Sequence, residues 1–224
     1  MIFPILIGNE CLVNFTVISI FQSRNLALQL YNQNFMRRLI ISMHTSLDGF
    51  VAGPKGEMDW IKLDDDMFDL VGEFTEDADT ALYGRNTYEM MEYYWPTASE
   101  KPNATKHDIQ HSAWYKEVNK VVLSRSLANK QLNKTTFISE HIPAFIKNLK
   151  RQEGKNILLF GSPTVVHLLA QHNLIDEYRL FINPVILGQG IPLFAGIHER
   201  IPLTAVSTKL FSSGVIAVHH NVDR

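Results

Sequence analysis

Several strand-like apolar runs in this chain end in residues that could bind a phosphate group. The run TALYGRNTYEMM at residues 80–91 stops at Gly84, Arg85 follows, and a predicted helix then opens with Asn86 and Thr87. A helix N-terminus exposes free backbone N–H groups and the positive end of the helix dipole, so it attracts anions, and phosphate in particular. Ordinary helix capping is the alternative interpretation of a single corner of this kind.

Two further corners have the same character. In ILLFGSPT at residues 157–164, a strand ends at Gly161, and Ser162 and Thr164 open a helix. In VVLSR at residues 121–125, a strand ends in Ser124 and Arg125. Ligands bind beyond the carboxyl ends of the strands in an α/β sheet, so the three corners together predict one nucleotide-binding rim. The sequence has neither a P-loop motif nor a Gly-x-Gly-x-x-Gly after a strand.

The hydrophobic pattern predicts the elements that hold these corners in place. Short apolar runs alternate with helical periodicities, and ILLF at residues 157–160 is continuously apolar, as in a buried parallel strand. The predicted strands cover residues 38–44, 50–52, a run ending at 84, 120–124, 136–139, 156–160, 177–187, 203–211 and 215–222, and the predicted helices cover 66–75, 86–95, 107–117, 142–149 and 163–172. We therefore expect an α/β fold with a mostly parallel central sheet, flanking helices and an antiparallel C-terminal hairpin.

Length and composition indicate one domain, or one domain with an appendage. The pattern changes near Met36, so we assign residues 1–35 to an N-terminal extension and residues 36–224 to the domain. A net charge of −2 argues against nucleic-acid binding, and the apolar run at residues 12–21 is too short to span a membrane. Cys11 is the only cysteine, so we expect no internal disulfide, no cysteine-based zinc site and a reducing, cytoplasmic location.

Five segments of the chain carry a family resemblance. They are SLDGFVAG (46–53), YGRNTYE (83–89), VVLSR (121–125), LLFGSPTVVHLL (158–169) and LIDEYRLFINPVILGQGIPLF (174–194). In combination they resemble the dihydrofolate-reductase-like superfamily, and most closely the reductase (C-terminal) domain of the riboflavin-pathway bifunctional deaminase-reductases and their stand-alone relatives. The resemblance implies a three-layer dihydrofolate-reductase-like fold, NADPH as the cofactor and a homodimer.

The chain departs from the family pattern at two places, of which the second bears on the substrate. Gly161-Ser162 stands where dihydrofolate reductases have Gly-Gly. The riboflavin reductases carry Asp-Asp-Pro-x-Leu and basic substrate-phosphate residues after the corner that Gly84 occupies, whereas this chain has YEMME at residues 88–92. The resemblance therefore implies an NADPH-dependent reductase of a small pyrimidine- or pteridine-type heterocycle. Dihydrofolate reductase activity proper and a catalytically silent nucleotide-binding module are the alternatives.

Hydride transfer requires a surface for the nicotinamide and a source of a proton. We expect the apolar Phe50, Val51 and Ala52 to form the nicotinamide wall. Asp48 is the carboxyl group nearest to them in sequence and is our candidate proton donor or substrate anchor, although an aspartate in an Asp-Gly turn commonly serves the turn itself. Trp60 resembles the family's aromatic residue near the substrate. One of the three aspartates at residues 64–66 could take the acid role, but the helix dipole alone also favours acids there.

Two further expectations concern the cofactor phosphate and metals. NADPH differs from NADH by a 2′-phosphate, and Arg85 and Arg125 are the predicted donors to it. His107 and His111 have the i, i+4 spacing of a helical metal pair. They lack the glutamate of a His-Glu-x-x-His motif and an obvious third ligand, so we predict no metal site.

Overall fold

The computed structural model describes residues 36–127 and 132–224, and the extension assigned to residues 1–35 lies outside these ranges. The strands within them are β1 (Leu39–Ser46), β2 (Phe50–Ala52), β3 (Ala78–Gly84), β4 (Asn119–Leu123), β5 (Thr135–Ile138), β6 (Asn156–Leu159), β7 (Glu177–Asn183), β8 (Ile191–Pro192), β9 (Leu203–Leu210) and β10 (Ile216–Val222). The helices are α1 (Asp65–Glu76), α2 (Arg85–Ala98), α3 (Lys106–Glu117), α4 (Ile142–Lys150) and α5 (Pro163–Gln171).

One sheet contains eight of these strands in the order β5-β4-β3-β6-β1-β7-β10-β9. The pairs from β5 to β7 are parallel, whereas β10 is antiparallel to both β7 and β9. The carboxyl ends of β4, β3, β6 and β1 therefore lie at the same edge of the sheet. Strands β2 and β8 form a separate antiparallel pair.

Helices cover both faces of the sheet. Side chains alternate between the two faces along a strand, and β6 illustrates the result. Ile157 belongs to the core that includes Val166 of α5, whereas Leu158 packs on the opposite face with Met67 of α1. A tyrosine-rich cluster joins β3 to α2 and α3 on that second face. The predicted mostly parallel α/β fold with an antiparallel C-terminal hairpin is confirmed.

The strand predicted over residues 177–187 is shorter than expected. Strand β7 ends at Asn183, and Pro184 follows it. Beyond that point the backbone N–H groups of Leu187 and Gly188 donate to the carboxylate of Asp48 and not to a neighbouring strand. The apolar residues after Asn183 therefore belong to a loop and not to a continuation of β7.

Two smaller differences concern α2 and β8. Helix α2 continues past Pro96 to Ala98, although we expected it to end near Trp95. Proline near the last turn removes only one helical hydrogen bond, and Ala98 is fully buried. Strand β8 has only two residues, too few for a recognisable alternation. Among the described residues, none of the helices has the length and apolar character needed to cross a bilayer.

Candidate active site

Three adjacent strands, β4, β3 and β6, end at an open cavity of about 510 Å³. Because these strands are parallel, the residues that follow them meet at one edge. The cavity is lined by Gly84, Arg85, Asn86, Leu123, Ser124, Arg125, Ser126, Ser162, Thr164 and Val165. We call this surface the phosphate rim. The structure thus brings together residues from all three corners identified in the sequence.

The contact between the ends of β3 and β6 explains the glycine at residue 84. The Gly84 N–H donates to the carbonyl oxygen of Gly161 at 3.0 Å. A Cβ atom on Gly84 would come within 2.5 Å of Ser162 Oγ and within 3.3 Å of the Ser162 backbone nitrogen. A side chain at residue 84 would therefore push the two corners apart.

Two helices begin at the phosphate rim. Gly84 caps α2 and Ser162 caps α5, and neither residue makes a side-chain hydrogen bond to the first turn of its helix. The helix dipoles place partial positive charge at these ends. None of the described residues that line the rim carries a carboxylate, and Arg85 and Arg125 add two guanidinium groups. This arrangement is suited to phosphate.

The hydroxyl groups and one arginine of the rim already have partners within the protein. Ser124 Oγ accepts a hydrogen bond from the Leu127 N–H at 3.2 Å. Ser162 Oγ and Thr164 Oγ1 are 2.8 Å apart. On the exposed first turn of α2, the Arg85 guanidinium is 3.5 Å from the carboxylate of residue 89, a glutamate. A ligand would have to share these groups with the protein.

Residues 160–162 separate the phosphate rim from a second, smaller cavity. Phe160 lines the second cavity and Ser162 lines the rim. Gly161 lies between them, and a Cβ atom on it would be 3.0 Å from Thr87 Oγ1 and 3.7 Å from Met43 Cε. The Gly161–Ser162 peptide bond is cis. The two cavities are therefore neighbours across the end of β6.

The second cavity has a volume of about 130 Å³ and lies between β1, the end of β6 and helices α1 to α3. Its lining is mainly aromatic and aliphatic and consists of Ser42, Met43, His44, Leu63, Met67, Phe68, Val71, Met91, Trp95, His107, His111, Phe160 and Phe181. We call it the aromatic pocket. None of these side chains is a carboxylate, an ammonium or a guanidinium.

Ring contacts organise the walls of the aromatic pocket. The ring centroids are 4.0 Å apart for Trp95 and His111, 4.1 Å apart for Phe68 and His107, and 4.9 Å apart for His44 and Phe181. These pairs connect β1 to β7, and α1 and α2 to α3. Flat rings held in this way suit a flat ligand.

Burial keeps the histidines of the pocket uncharged. It lowers the pKa of His44 to about 4 and, with a smaller contribution from His107, the pKa of His111 to about 3. Burial also lowers the pKa of His107. His107 and His111, the helical pair noted in the sequence, thus contribute neutral rings at pH 7. Within residues 36–127 and 132–224, no group of three or more His, Cys, Asp or Glu side chains is placed to hold a metal ion.

A buried amide fixes the orientation of the His44 ring. Asn183 is fully buried, and its Oδ1 accepts a hydrogen bond from the Lys62 N–H at 2.8 Å. Its Nδ2 faces the carbonyl oxygens of Phe181 and Thr45 at 3.1 and 3.3 Å, and His44 Nδ1 at 3.3 Å. An amide nitrogen can only donate, so this contact favours Nδ1 as an acceptor and the proton of the neutral ring on Nε2.

Asp48 lies away from both cavities. Its carboxylate accepts hydrogen bonds from Ser46 Oγ at 2.7 Å, from the Gly188 N–H at 2.8 Å and from the Leu187 N–H at 3.1 Å. These bonds, that of Ser46 first, hold the pKa of Asp48 below its ordinary value. In this position the carboxylate joins the turn after β1 to the loop after β7. Its role as a proton donor stays a prediction.

The other residues predicted near the substrate and nicotinamide, Trp60, Val51 and Ala52, line neither cavity. Trp60 is half-buried and donates from Nε1 to the Glu57 carbonyl oxygen at 3.1 Å, while Leu63 of the same loop lines the aromatic pocket. Val51 and Ala52 are buried in β2, where Val51 belongs to the main core. The predicted roles of Trp60, Val51 and Ala52 therefore stay predictions.

The sequence interpretation missed His44, Asn183, Trp95 and Phe160. One signal could have identified His44. In LIISMHTS the imidazole is the one ionisable side chain of a strand that begins with three apolar residues, and an ionisable side chain in a buried strand requires a partner. The other three carry no local signal, because only the folded arrangement of strands and helices brings Trp95 and Phe160 to one cavity and Asn183 to His44.

The chain is similar to one family over most of the residues that the structure describes. Residues 37–217 match the family model described as the RibD C-terminal domain. The uncharacterized protein YyaP of Bacillus subtilis (strain 168) is 38% identical over 184 residues, which cover 81% of this chain and 93% of YyaP.

Solved structures share the fold at lower identity. A diaminohydroxyphosphoribosylaminopyrimidine deaminase/5-amino-6-(5-phosphoribosylamino)uracil reductase from Thermotoga maritima is 17% identical, with a TM-score of 0.61 over 86% of this chain and 58% of that chain. The dihydrofolate reductase from Enterococcus faecalis, complexed with NADP(H), is 15% identical, with a TM-score of 0.56 over 85% of this chain and 99% of that chain. The fold is therefore dihydrofolate-reductase-like.

Proposed function

Because this chain belongs to the RibD C-terminal domain family, whose model matches residues 37–217, we propose that it is an NADPH-dependent reductase of a small heterocycle. The family makes it a reductase domain of the riboflavin-pathway type. NADPH as the cofactor and a pyrimidine- or pteridine-type ring as the substrate are the finer parts of the proposal.

One observation carries the proposal: the phosphate rim and the aromatic pocket are neighbours across residues 160–162. NADPH combines anionic phosphate groups with a flat nicotinamide ring that is uncharged in its reduced form, and a hydride acceptor must lie against that ring. A polar rim with two helix N-termini next to a small aromatic pocket supports the binding of a dinucleotide beside a flat hydride acceptor.

The residues of the rim fit the phosphate groups of NADPH. First-turn N–H groups of α2 and α5, with the hydroxyls of Ser162 and Thr164, would hold the diphosphate. Arg85 and Arg125 would pair with the 2′-phosphate. When bound, NADPH supplies a hydride from its nicotinamide ring.

The aromatic pocket would hold the acceptor ring and exclude water from it. His44 can present an N–H from Nε2, whereas its low pKa makes it a poor source of a proton at neutral pH. We propose that solvent, or one of the acids predicted from the sequence, supplies the proton. In this scheme the protein contributes mainly by orienting the nicotinamide ring and the acceptor ring relative to each other.

The test combines cofactor binding with turnover on the purified full chain. Calorimetric titration with NADPH and NADH measures binding, and the absorbance of NADPH follows its consumption with pterins, aminopyrimidines and quinones. We expect NADPH to bind more tightly than NADH and to be consumed with at least one heterocycle. Absence of NADPH binding would reject the proposal.

The same experiment distinguishes two rival functions from the proposed one. Consumption of NADPH with dihydrofolate in preference to every other acceptor would indicate dihydrofolate reductase activity proper. Tight NADPH binding with no turnover on any acceptor would indicate a catalytically silent nucleotide-binding module.

We also propose that the chain forms a homodimer. Strand β9 lies at the edge of the sheet, and all its residues are exposed. Three of them are large and apolar: Leu203, Val206 and Leu210, with exposed fractions of 42%, 50% and 71%. An exposed apolar edge strand is a pairing surface. Light scattering should give twice the mass of the chain, and Val206→Lys should shift the protein to the monomer.

The remaining proposals concern the extension and the compartment. We propose that the domain at residues 36–224 folds and binds cofactor without residues 1–35, because the family match begins at residue 37. A shortened chain starting at Met36 that is insoluble or does not bind NADPH would contradict this. We propose a cytoplasmic location, since a single cysteine in 224 residues suits a reducing compartment.

A further inference from the structure

The aromatic pocket is small enough to discriminate between one ring and two. Its volume of about 130 Å³ is close to the roughly 150 Å³ of an apolar cavity that holds one benzene ring. A fused bicyclic ring would have to displace side chains such as Phe68, which is stacked on His107, and Trp95, whose ring packs against His111 in a tilted arrangement. The walls therefore favour a single six-membered ring.

The pocket offers a fixed hydrogen-bond donor but no charge. Asn183 Nδ2, which can only donate, lies 3.3 Å from His44 Nδ1, and this contact favours the proton of the neutral ring on Nε2. Among the described residues, the hydrogen bond given to the His44 ring is the one at Nδ1, and the ring lines the pocket. A ligand atom with a lone pair, such as a carbonyl oxygen or a ring nitrogen, could accept a hydrogen bond from Nε2–H.

The charges beside the pocket disfavour an anionic substituent on the ring. Leu63 lines the pocket, Lys62 precedes it, and Asp64, Asp65 and Asp66 follow it. This stretch therefore has a net negative charge. A phosphate group that left the pocket past Leu63 would approach carboxylates.

We infer that the aromatic pocket takes a single uncharged six-membered ring bearing a carbonyl oxygen or ring nitrogen, and that His44 Nε2–H donates a hydrogen bond to that atom. The inference rests on the proposed function for the pocket's place as the hydride-acceptor site. It narrows the substrate class, because it disfavours both a bicyclic pteridine and a ring that carries a phosphate. His44 would then determine specificity.

The ligand test uses two matched pairs with the full chain. Uracil and pterin differ in the number of rings, and uridine and uridine 5′-monophosphate differ in the phosphate. Calorimetric titrations are performed with and without saturating NADP⁺. We expect uracil to bind more tightly than pterin, and uridine to bind roughly tenfold more tightly than its monophosphate.

The variant test isolates the hydrogen bond. His44→Ala should weaken uracil binding roughly fivefold to tenfold, and His44→Gln, whose amide N–H can replace Nε2–H, should restore most of the loss. His172→Ala is the matched control, because His172 is an exposed histidine at the end of α5. Circular dichroism verifies that each variant is folded.

Each outcome has one meaning. Pterin binding more tightly than uracil, the monophosphate binding as tightly as uridine, or no uracil binding would overturn the inference. Unchanged uracil affinity in folded His44→Ala would remove His44 from the site. Uracil binding that depends on His44 in a protein that does not bind NADPH would support the inference and reject the proposed function.

Discussion

The phosphate rim and the aromatic pocket lie on either side of residues 160–162 and are built in opposite ways. The rim is made largely of backbone, from two strand ends that touch at Gly84 and from two helix N-termini. The pocket is made of side chains from β1 and three helices. We expect the backbone geometry of the rim to determine whether the cofactor binds, and the side chains of the pocket to determine which hydride acceptor binds. Changes to the two regions should therefore have separable effects.

The largest effect should come from closing the rim. In Gly84→Val, the new Cβ would meet Ser162 Oγ at 2.5 Å. Overpacking of this kind should reduce the free energy of unfolding by about 1–3 kcal/mol and weaken NADPH binding about a hundredfold, because the two corners move apart. Thermal unfolding and NADPH titration measure the two changes.

Gly72→Ala is the control for this substitution. Gly72 lies inside α1, and a Cβ atom there meets nothing within 4 Å. Alanine in a helix interior is favoured over glycine by roughly 0.5–1 kcal/mol, so this variant should be slightly more stable and should bind NADPH normally. If Gly84→Val binds NADPH like wild type, the rim is not the phosphate site.

The same difference in construction explains what the sequence could predict. Strand ends and helix starts are local features, so Gly84, Gly161 and the helix beginning at Pro163 could be located from patterns of a few residues. The predicted extension of the strand beyond Asn183 was wrong, because those apolar residues belong to a loop whose N–H groups donate to Asp48.

The pocket could not be predicted, for a related reason. His44, Trp95 and His111 come from β1, α2 and α3 and are far apart in sequence. They meet only because β3, β6 and β1 are neighbours in the sheet, and periodicity gives the elements but not their order. His107 and His111 were recognised as a pair, but their local spacing did not reveal the Trp95 ring between α2 and α3.

The next largest effect should be a loss of NADPH affinity that differs between the two arginines of the rim. Arg125→Ala should weaken NADPH roughly tenfold to a hundredfold and leave NADH unchanged, because a hydrogen bond to a charged phosphate contributes about 1.5–3 kcal/mol. Arg85→Ala should have a smaller effect, because Arg85 already shares its charge with Glu89. Fluorescence titrations with both cofactors measure this. Equal losses of affinity for NADPH and NADH would show that neither arginine binds the 2′-phosphate. The control position is Arg151, which is exposed.

On the pocket side, the buried His111 should make the protein sensitive to acid. Burial lowers its pKa to about 3, whereas the unfolded chain protonates histidine near its ordinary value of about 6.5. Below that value the unfolded state binds more protons, so stability is lost as the pH falls. Between pH 7 and pH 5 the loss from His111 should be about 2 kcal/mol.

Urea unfolding of wild type and His111→Phe at both pH values measures this loss. Phenylalanine keeps a flat ring against Trp95 and Phe160 but cannot be protonated. The variant should therefore lose less stability on acidification than wild type. Parallel losses in the two proteins would indicate that other groups control the response to acid.

The smallest effect should come from Asp48, which lies outside both regions. Asparagine keeps an oxygen for Ser46 Oγ and the Leu187 N–H but turns an amide toward the Gly188 N–H. Asp48→Asn should therefore loosen the loop after β7 and change turnover by less than about threefold, whereas loss of a catalytic acid typically costs a hundredfold or more. Steady-state rates across a pH series distinguish the two roles. A large fall in rate with unchanged NADPH binding would establish Asp48 as the proton donor, and a small change would assign it to the loop.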